Sequence, residues 1–325
     1  MGRIIGRLVN IGLGKETTRG TSVAPTYWIP VTELEYDDKV NYIKNDSGMA
    51  RIDEFNDAQI NEEWAEGSYS GKIYDRSVGM ELVGVFGQAP TSVQRTSTGV
   101  YDHTYALLNT NAHTALTVGY KEANDDLRYT MGMIDTWSLE AVHDNFVRRS
   151  VTIKSKKQAS ASNTVSITDE NEFIPKHITL KLASALAGLD AASATEIIGF
   201  NLEISKNVEP LYVMGSNEPD DIANKQFAIS GSFELYYEDQ TVRDYVLNNT
   251  TRAMRIEMLS TTIIGSSGTH TPALRFDLSK VSFQENARKL DNNEFATNTV
   301  NFEAYFSIAD SNSITGRLTN AVVSY

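Results

Sequence analysis

W-A-E-G-S-Y-S-G-K-I-Y-D-R-S-V-G-M-E-L-V-G-V-F, at residues 64–86, joins a strand pattern directly to a helix pattern. A period-two run leads into an acidic turn, and Asp75 or Ser77 is a candidate N-cap for the helix that follows. The apolar positions of that helix are Val78, Leu82, Val85 and Phe86. One strand followed by one helix is common, so this stretch becomes informative only through its repetition.

The same order recurs in F-A-I-S-G-S-F-E-L-Y-Y-E-D-Q-T-V-R-D-Y-V-L at residues 227–247. Placing Gly67 on Gly231 also aligns Ser68 with Ser232, Tyr69 with Phe233, Asp75 with Asp239, Val78 with Val242 and Leu82 with Val246. In the second copy, large apolar residues alternate with small or polar ones, which is typical of a strand with one buried face. Two such copies half a chain apart predict a duplicated domain.

The composition is that of an ordinary globular protein. The chain has 325 residues, 41% hydrophobic and 22% charged, which favours two domains. It has no cysteine, so disulfides and thiolate metal sites are excluded. No apolar run is long enough to span a bilayer.

The charge is acidic and unevenly distributed. The net charge is −13 and the pI is about 4.9, which argues against a protein that grips nucleic acid through its phosphates. Between Glu33 and Glu66 there are eleven acidic residues against Lys39, Lys44 and Arg51. This cluster is either a solvated loop or a functional surface, and the sequence leaves both interpretations open.

We divide the chain by composition into five segments: an N-terminal arm (1–20), a first domain (21–160) with a long loop (38–63), a small polar linker (161–171), a second domain (172–312) with an alanine-rich insertion (182–197), and a C-terminal arm or strand (313–325). The glycine-broken N-terminus is interpreted as an extended arm rather than a signal peptide. Each half has about six predicted strands and one helix. The predicted fold class is mainly β, as two tandem copies of a β-sandwich or half-barrel domain with one helix each.

No catalytic or metal-binding motif is present. The chain lacks H-E-x-x-H, Walker, dinucleotide-binding and G-x-S-x-G patterns, and its five histidines lie far apart in sequence. The adjacent carboxylates Glu62–Glu63 and Asp125–Asp126 point to opposite faces if they lie on strands, so they are poor acid–base pairs. We therefore predict neither an enzyme nor a cofactor.

Four stretches together resemble one family. They are G-K-E-T-T-R-G-T-S-V-A-P-T-Y-W-I-P (14–30), N-D-S-G-M-A-R-I-D (45–53) with the following W-A-E-G-S-Y-S-G, E-N-E-F-I-P-K-H-I-T (170–179) and D-D-I-A-N-K-Q-F-A-I-S-G-S-F-E-L-Y-Y (220–237). In number and order they resemble the tail tube proteins, or major tail proteins, of long-tailed siphovirus-type bacteriophages. The likeness covers most of the chain.

This resemblance implies a β-rich tube domain with one flanking helix. Copies would assemble into rings with a continuous inner sheet, and the rings would stack into a virion tail tube that conducts double-stranded DNA. A duplicated chain would give three chains per ring with pseudo-sixfold symmetry. The expected partners are other copies of the chain and tail proteins such as the tape measure, terminator and distal tail proteins. DNA would be passing cargo, no membrane would be involved, and assembly would occur in the host cytoplasm.

Three sets of residues are the site candidates under this hypothesis. Contacts between rings are predicted for Asp38, Lys39, Lys44, Asp46, Met49, Arg51, Asp53, Glu54, Phe55 and Asp57. Lumen positions are predicted for Glu62, Glu66, Ser68, Ser70, Lys72, Ser230, Ser232 and Glu234. Arm contacts are predicted for Arg3, Ile4, Ile5 and Arg7.

Two other function classes stay open on the residues alone. One is a secreted or surface β-sandwich that binds carbohydrate, although Trp28, Trp64 and Trp137 are too scattered for a stacking platform. The other is a hydrolase that uses a carboxylate pair, which no motif supports. Rings or tubes with a central hole would distinguish the structural hypothesis from both.

Overall fold

Alternating apolar residues along the chain produce strands almost throughout. Within residues 5–96, 98–266 and 268–325, which the computed structural model describes, there are twenty β-strands, two α-helices and three short 3-10 helices. The fold is therefore mainly β, as predicted. The expectation of about six strands in each half was wrong, because strands as short as two or three residues carry too few side chains to show an alternation.

The elements of the first half are β1 (Asn10–Lys15), β2 (Tyr27–Ile29), β3 (Glu33–Asn45), β4 (Asp57–Lys72), α1 (Ser77–Phe86), β5 (Thr91–Gln94), β6 (Tyr101–Ala106), β7 (Leu116–Lys121), β8 (Asp126–Val142), β9 (Arg148–Ser155) and β10 (Gln158–Ser160). Those of the second half are β11 (Ile178–Ala183), β12 (Ala194–Thr195), β13 (Gly199–Ser205), β14 (Glu209–Leu211), β15 (Asp221–Ala223), β16 (Ala228–Tyr236), α2 (Thr241–Leu247), β17 (Arg252–Leu259), β18 (Ala273–Lys289), β19 (Thr297–Tyr305) and β20 (Ile314–Asn320). The 3-10 helices are Gly6–Leu8, Pro175–His177 and Leu186–Gly188.

Eight strands from both halves form one continuous antiparallel sheet. Their spatial order is β3-β4-β9-β8-β13-β16-β19-β18. The two halves meet where β8 pairs with β13, from Thr136 opposite Ser205 to Val142 opposite Gly199. We call this contact the internal junction, and we call these eight strands the junction sheet. The last strand β20 is a second link, because it pairs with β6 on one side and β18 on the other.

The same pairing order occurs in each half. In the first half it is β1-β7-β8-β9-β4-β3, and in the second it is β11-β17-β18-β19-β16-β13. The aligned glycines have the same role in both. A Cβ added at Gly67 would collide with the backbone carbonyl of Glu35, and one added at Gly231 would collide with that of Asn201. Both positions therefore require glycine for close approach to the neighbouring strand.

Helix α1 is buried along its whole length, and the buried carboxylate of Glu81 attaches it to the sheet. The Glu81 carboxylate accepts hydrogen bonds from Arg149 Nε at 2.6 Å, Trp137 Nε1 at 3.0 Å and the Tyr69 hydroxyl at 3.2 Å. The Glu81 and Arg149 side chains are both completely buried. Burial and the neighbouring Glu81 charge both raise the pKa of Tyr69, so its hydroxyl stays protonated and donates.

The second helix is packed on one side only. None of the seven residues of α2 is buried, whereas all ten of α1 are. The Tyr245 ring stacks on Phe283 and lies under the Arg252 guanidinium. In the first half, residues 87–115 supply β5 and β6 beside α1, and no corresponding segment follows α2, where only a few residues separate the helix from β17.

The predicted N-terminal arm is wrong from residue 10 onward. Residues 10–15 are β1, which pairs with β2 and β7, and Ile11 and Leu13 are fully buried. The glycines that suggested an arm permit close packing instead. A Cβ on Gly12 would lie 2.9 Å from the Pro25 Cβ and the Trp28 ring.

The predicted long loop at 38–63 is also wrong for most of its length. Strand β3 continues to Asn45 and β4 begins at Asp57, so only residues 46–56 connect them. The two strands pair from Glu33 opposite Ser70 to Asn45 opposite Asp57. From residue 41 to residue 60 both faces are exposed, so the hairpin needs no alternation of apolar residues. A strand is recognised in a sequence by the alternation that burial of one face produces, and this hairpin lacks that alternation.

The remaining connecting segments differ from their predictions in detail. The insertion at 182–197 contains the end of β11, a 3-10 turn and the two-residue β12, without an α-helix. The linker has no regular structure at 161–171, but Glu170 accepts hydrogen bonds from the backbone N–H groups of Arg76 and Ser77. Glu170 thus caps α1, whose N-cap residue is Arg76 rather than the predicted Asp75 or Ser77. Within residues 313–325 the structure has strand β20, Ile314–Asn320.

Candidate assembly surfaces

One face of the junction sheet is predominantly polar. All eight residues predicted for the lumen lie on it, because they alternate with buried Ala65, Tyr69, Ile229 and Phe233 on β4 and β16. Neighbouring strands add serines and threonines in register, such as Ser150 opposite Ser70 and Thr152 opposite Ser68. The two halves therefore contribute to a single hydrophilic surface, which we call the polar face.

The polar face carries more acid than base. Its acidic residues are Glu33, Glu35, Asp37, Glu62, Glu66, Glu140, Glu203, Glu234, Glu285 and Glu303. Its basic residues are Lys39, Lys72, Arg148, Lys154, Lys280 and Lys289. Three of these cations already have a carboxylate partner. Lys154 Nζ lies 3.1 Å from Asp135, Lys72 Nζ lies 3.3 Å from Glu172, and Lys289 Nζ lies 3.0 Å from Asp291.

The end of the β3–β4 hairpin extends away from the sheet into solvent. Of the ten residues predicted for contacts between rings, the eight from Lys44 to Asp57 lie on this part and all are exposed. Asp38 and Lys39 lie lower, at the edge of the sheet. Partial burial raises the pKa of Asp38, while its hydrogen bond from the Gln158 backbone N–H at 3.1 Å acts in the opposite direction.

The hairpin also exposes apolar side chains that the sequence analysis did not single out. They are Val40, Tyr42, Ile43, Ile52 and Ile60, in addition to the predicted Met49 and Phe55. Ile52 at the tip is fully exposed. Seven exposed apolar residues on one two-stranded element are typical of an interaction surface. The sequence signal that could have identified these residues is the presence of β-branched and aromatic side chains in an otherwise acidic segment.

The base of the hairpin is held by the excursion of the second half. Lys157 Nζ lies 2.6 Å from Glu63 and 3.0 Å from Glu218, and the Glu63 N–H donates to the Asn217 carbonyl at 2.7 Å. These contacts join the base of the hairpin to the second-half excursion.

The second-half excursion, residues 206–227, folds onto the first half. Val208 and Ile222 are buried against Ala115, Met131 and Met133 in a small second core. Arg19 ties it down by donating to Asp221 at 2.6 Å and to the His113 carbonyl, also at 2.6 Å. The two excursions therefore differ, since one projects and the other is packed.

A buried lysine lies between the halves. Lys206 follows β13, is 1% exposed, and its Nζ donates to the Gly84 carbonyl of α1 at 2.7 Å. Burial, followed by the nearby Arg19 charge, lowers the pKa of Lys206 to about 7, while Asp135 opposes the shift.

The predicted arm contacts divide into two groups. Ile5 and Arg7 are exposed beside the first 3-10 turn. Arg3 and Ile4 lie outside the described residues.

The candidate carboxylates and two of the histidines have separate hydrogen-bond partners. Among the described residues no group of three or more His, Cys, Asp or Glu side chains is placed to hold a metal ion. Glu62 accepts from Asn41 and Glu63 from Lys157, so this pair faces two different environments. His103 is held by Ser92 and Asn320, and His113 by the Leu108 carbonyl. Within the described part of the chain, no helix is long and apolar enough to cross a membrane.

A comparison with known families gives a match over most of the chain. The family model described as "Phage tail tube protein" matches residues 6–304. A search of curated proteins gives no significant match.

Proposed function

This chain belongs to the phage tail tube protein family, and we propose that it assembles into stacked rings whose lumen conducts double-stranded DNA. The family is one of structural virion proteins of the tail rather than of enzymes. The observation that carries the proposal is the internal junction, which joins two half-chain sheets edge to edge into one surface with a polar, acidic face. A ring needs this type of contact to repeat between copies.

We propose further that the two halves are tandem copies of one tube domain, so that three chains make a pseudo-sixfold ring. The shared pairing order of the halves supports this proposal, as do the equivalent glycines Gly67 and Gly231. Three chains would supply six domains and twenty-four strands of the junction-sheet type. Both open edges of the junction sheet would then be paired with a neighbouring copy, which removes the aggregation hazard of those edges.

In this arrangement the polar face lines the lumen. Serine, threonine and asparagine give a wetted wall without strong binding groups, and the excess of carboxylates repels the phosphates of passing DNA. Basic stripes would slow the DNA by binding those same phosphates. Lys72 and Lys154 lie close to carboxylates, at 3.3 Å from Glu172 and 3.1 Å from Asp135, which reduces their attraction for DNA.

The end of the hairpin is then the contact between successive rings. An exposed apolar tip gains little in a solitary subunit, whereas burial against the next ring would stabilise the tube by about 25 cal/mol per Å² of apolar area. The acidic and basic residues around it, such as Asp53 and Arg51, would set the register of stacking by charge complementarity. Tail proteins at the two ends of the tube, including terminator and distal tail proteins, would meet the first and last rings. The tape measure protein would occupy the lumen during assembly in the host cytoplasm.

Electron microscopy of the purified chain tests the function. We expect hollow rings or tubes in negative stain as the protein concentration is raised. The variant Ile52→Asp/Phe55→Ser should keep single rings and lose tubes, while the exposed control Ile167→Asp should form tubes normally. Solid particles with no central hole, in both wild type and variants, would contradict the proposed function. Tubes of normal length from the double variant would remove only the stacking role of the hairpin.

A further inference from the structure

We propose that neighbouring copies pair the free edge of β3 with the free edge of β18, placing Lys39 opposite Glu285 and Glu35 opposite Lys289. The inference rests on the proposed function and deepens it. It specifies the partner strands, their register and the charges that join one copy to the next.

The internal junction is the template for this contact. There the end of β8 pairs antiparallel with β13, beginning just after a bulge between Ile134 and Thr136. Strand β8 corresponds to β18 and β13 corresponds to β3 in the shared pairing order. A contact of the same type between copies therefore joins β18 of one copy to β3 of the next, and repeating it closes a ring.

The position of β3 in the register follows from the equivalent glycines. Gly231 of β16 lies opposite Leu202 of β13, and Gly67 of β4 lies opposite Tyr36 of β3. Leu202 therefore corresponds to Tyr36. It follows that Ser205, the first residue paired in the internal junction, corresponds to Lys39.

The position of β18 follows from a second shared irregularity. The β8–β9 register shifts between Ile134 and Thr136, and the β18–β19 register shifts between Phe283 and Glu285. The residues just before the two bulges, Ile134 and Phe283, pair with Ile153 and Phe302. Ile153 in turn pairs with Gly67, and Phe302 pairs with the equivalent Gly231, so the two bulges lie at equivalent positions. Thr136 therefore corresponds to Glu285. Since Thr136 lies opposite Ser205, Glu285 is placed opposite Lys39.

Both edges are open in the single chain. In the described part of the structure, β3 has β4 as its sole strand partner. Strand β18 pairs with β17 up to Val281, and beyond this point residues 285–289 have β19 on the other side and no strand on this one. Unpaired edges of this length offer rows of N–H and C=O groups to a further strand.

The transferred register matches the side chains as well as the backbone. The opposed pairs are Lys39 with Glu285, Asp38 with Asn286, Asp37 with Ala287, Tyr36 with Arg288, Glu35 with Lys289 and Leu34 with Leu290. Two pairs are oppositely charged and none joins like charges. Leu290, which is 69% exposed in the single chain, gains an apolar partner. Opposed charges and apolar pairs of this kind stabilise antiparallel strands.

Slipped registers match less well. A shift of two residues in one direction places Glu285 opposite Asp37, which is repulsive. The same shift in the other direction places Glu285 opposite the uncharged Asn41 and Lys289 opposite Asp37, so one ion pair forms instead of two. Shifts of one residue would turn the polar face of one copy toward the core of the next. The register taken from the internal junction is the one that forms both ion pairs.

Cysteine cross-linking tests the register directly, because the chain has no cysteine of its own. The variant Asp37→Cys/Ala287→Cys places two thiols on directly opposed residues, with Cβ atoms about 5 Å apart. The control Glu33→Cys/Ala287→Cys places them four residues apart along the strand, about 13 Å. Assembled under mild oxidation, the first variant should give reducible dimers and trimers on denaturing gels. The control should stay monomeric on the same gel.

Charge reversal is an independent test of the register. Lys39 and Glu285 lie on the polar face, so these substitutions leave the core unchanged. Lys39→Glu should raise the concentration needed for ring formation about tenfold, since each like-charged junction weakens pairing about fivefold and a three-chain ring has three of them. Glu285→Lys should do the same, and the double reversal should restore assembly. Rings that form without the expected cross-link, or single and double reversals of equal effect, would overturn this register while leaving the tube function standing. A wild-type chain that forms no rings would instead contradict the proposed function.

Discussion

Removing the Glu81 carboxylate tests how the buried helix is held to the sheet. The variant Glu81→Ala leaves the Arg149 guanidinium completely buried without its counter-charge, and it also removes the acceptor for Trp137 Nε1 and the Tyr69 hydroxyl. Breaking a buried ion pair by removing one partner costs about 3–5 kcal/mol. Each unsatisfied donor adds about 1 kcal/mol or more unless water replaces the carboxylate. We therefore expect a loss of about 5 kcal/mol in the free energy of unfolding.

This loss is comparable with the whole stability of many domains, so the variant should unfold at a much lower urea concentration. Urea titration followed by tryptophan fluorescence measures it, in the Ile52→Asp/Phe55→Ser background to avoid tubes and at a protein concentration below that of ring formation. The matched control is Glu172→Ala, because Glu172 pairs with Lys72 at 3.3 Å on the partly exposed surface. That pair should contribute less than about 1 kcal/mol. Equal losses for the two variants would refute the role given to the Glu81 network.

Three further predictions follow from particular residues. Because the pKa of Lys206 is lowered to about 7, the unfolded chain binds more protons between pH 7 and pH 9, so stability should rise by about 2 kcal/mol over that range. Urea midpoints should lose this rise in Lys206→Met, and an unchanged pH dependence would contradict the assignment. Gly67→Ala and Gly231→Ala should each cost about 1–3 kcal/mol or more, because the added Cβ meets a backbone carbonyl, whereas Gly48→Ala, where no atom lies within 4 Å, should be nearly neutral. Thermal unfolding compares the three, and equal melting temperatures would be the contrary result. Reversing Glu66 and Glu234 to lysine should leave tubes intact but slow DNA ejection, measured by dye binding to released DNA, and unchanged ejection would contradict the electrostatic role of the polar face.

The sequence predicted those features that depend on local alternation. Ser230, Ser232 and Glu234 alternate with buried Ile229 and Phe233, so their common face was readable from period two alone. The mainly β class and the order of strand and helix follow from the same signal. The repeated glycine was visible as an alignment, but its collision partners belong to other strands and needed the structure.

Features set by distant contacts were not predictable in the same way. The cap of α1 comes from Glu170, more than ninety residues after the helix begins. The β8–β13 pairing depends on which edges remain free after each half has folded, and no local pattern encodes that choice. The hairpin beyond Val40 was mistaken for a loop because both of its faces are exposed. Its apolar residues are exposed in the single chain, and we propose that assembly buries them.

The mass of a single ring tests the central claim, that each chain supplies two equivalent tube domains. Native mass spectrometry of the stacking-defective Ile52→Asp/Phe55→Ser variant should give a ring of three chains of 36.0 kDa each, about 108 kDa. End-on image averages should then contain six similar lobes around one hole. A ring of six chains of 36.0 kDa each, about 216 kDa, would contradict the claim that each chain supplies two equivalent tube domains.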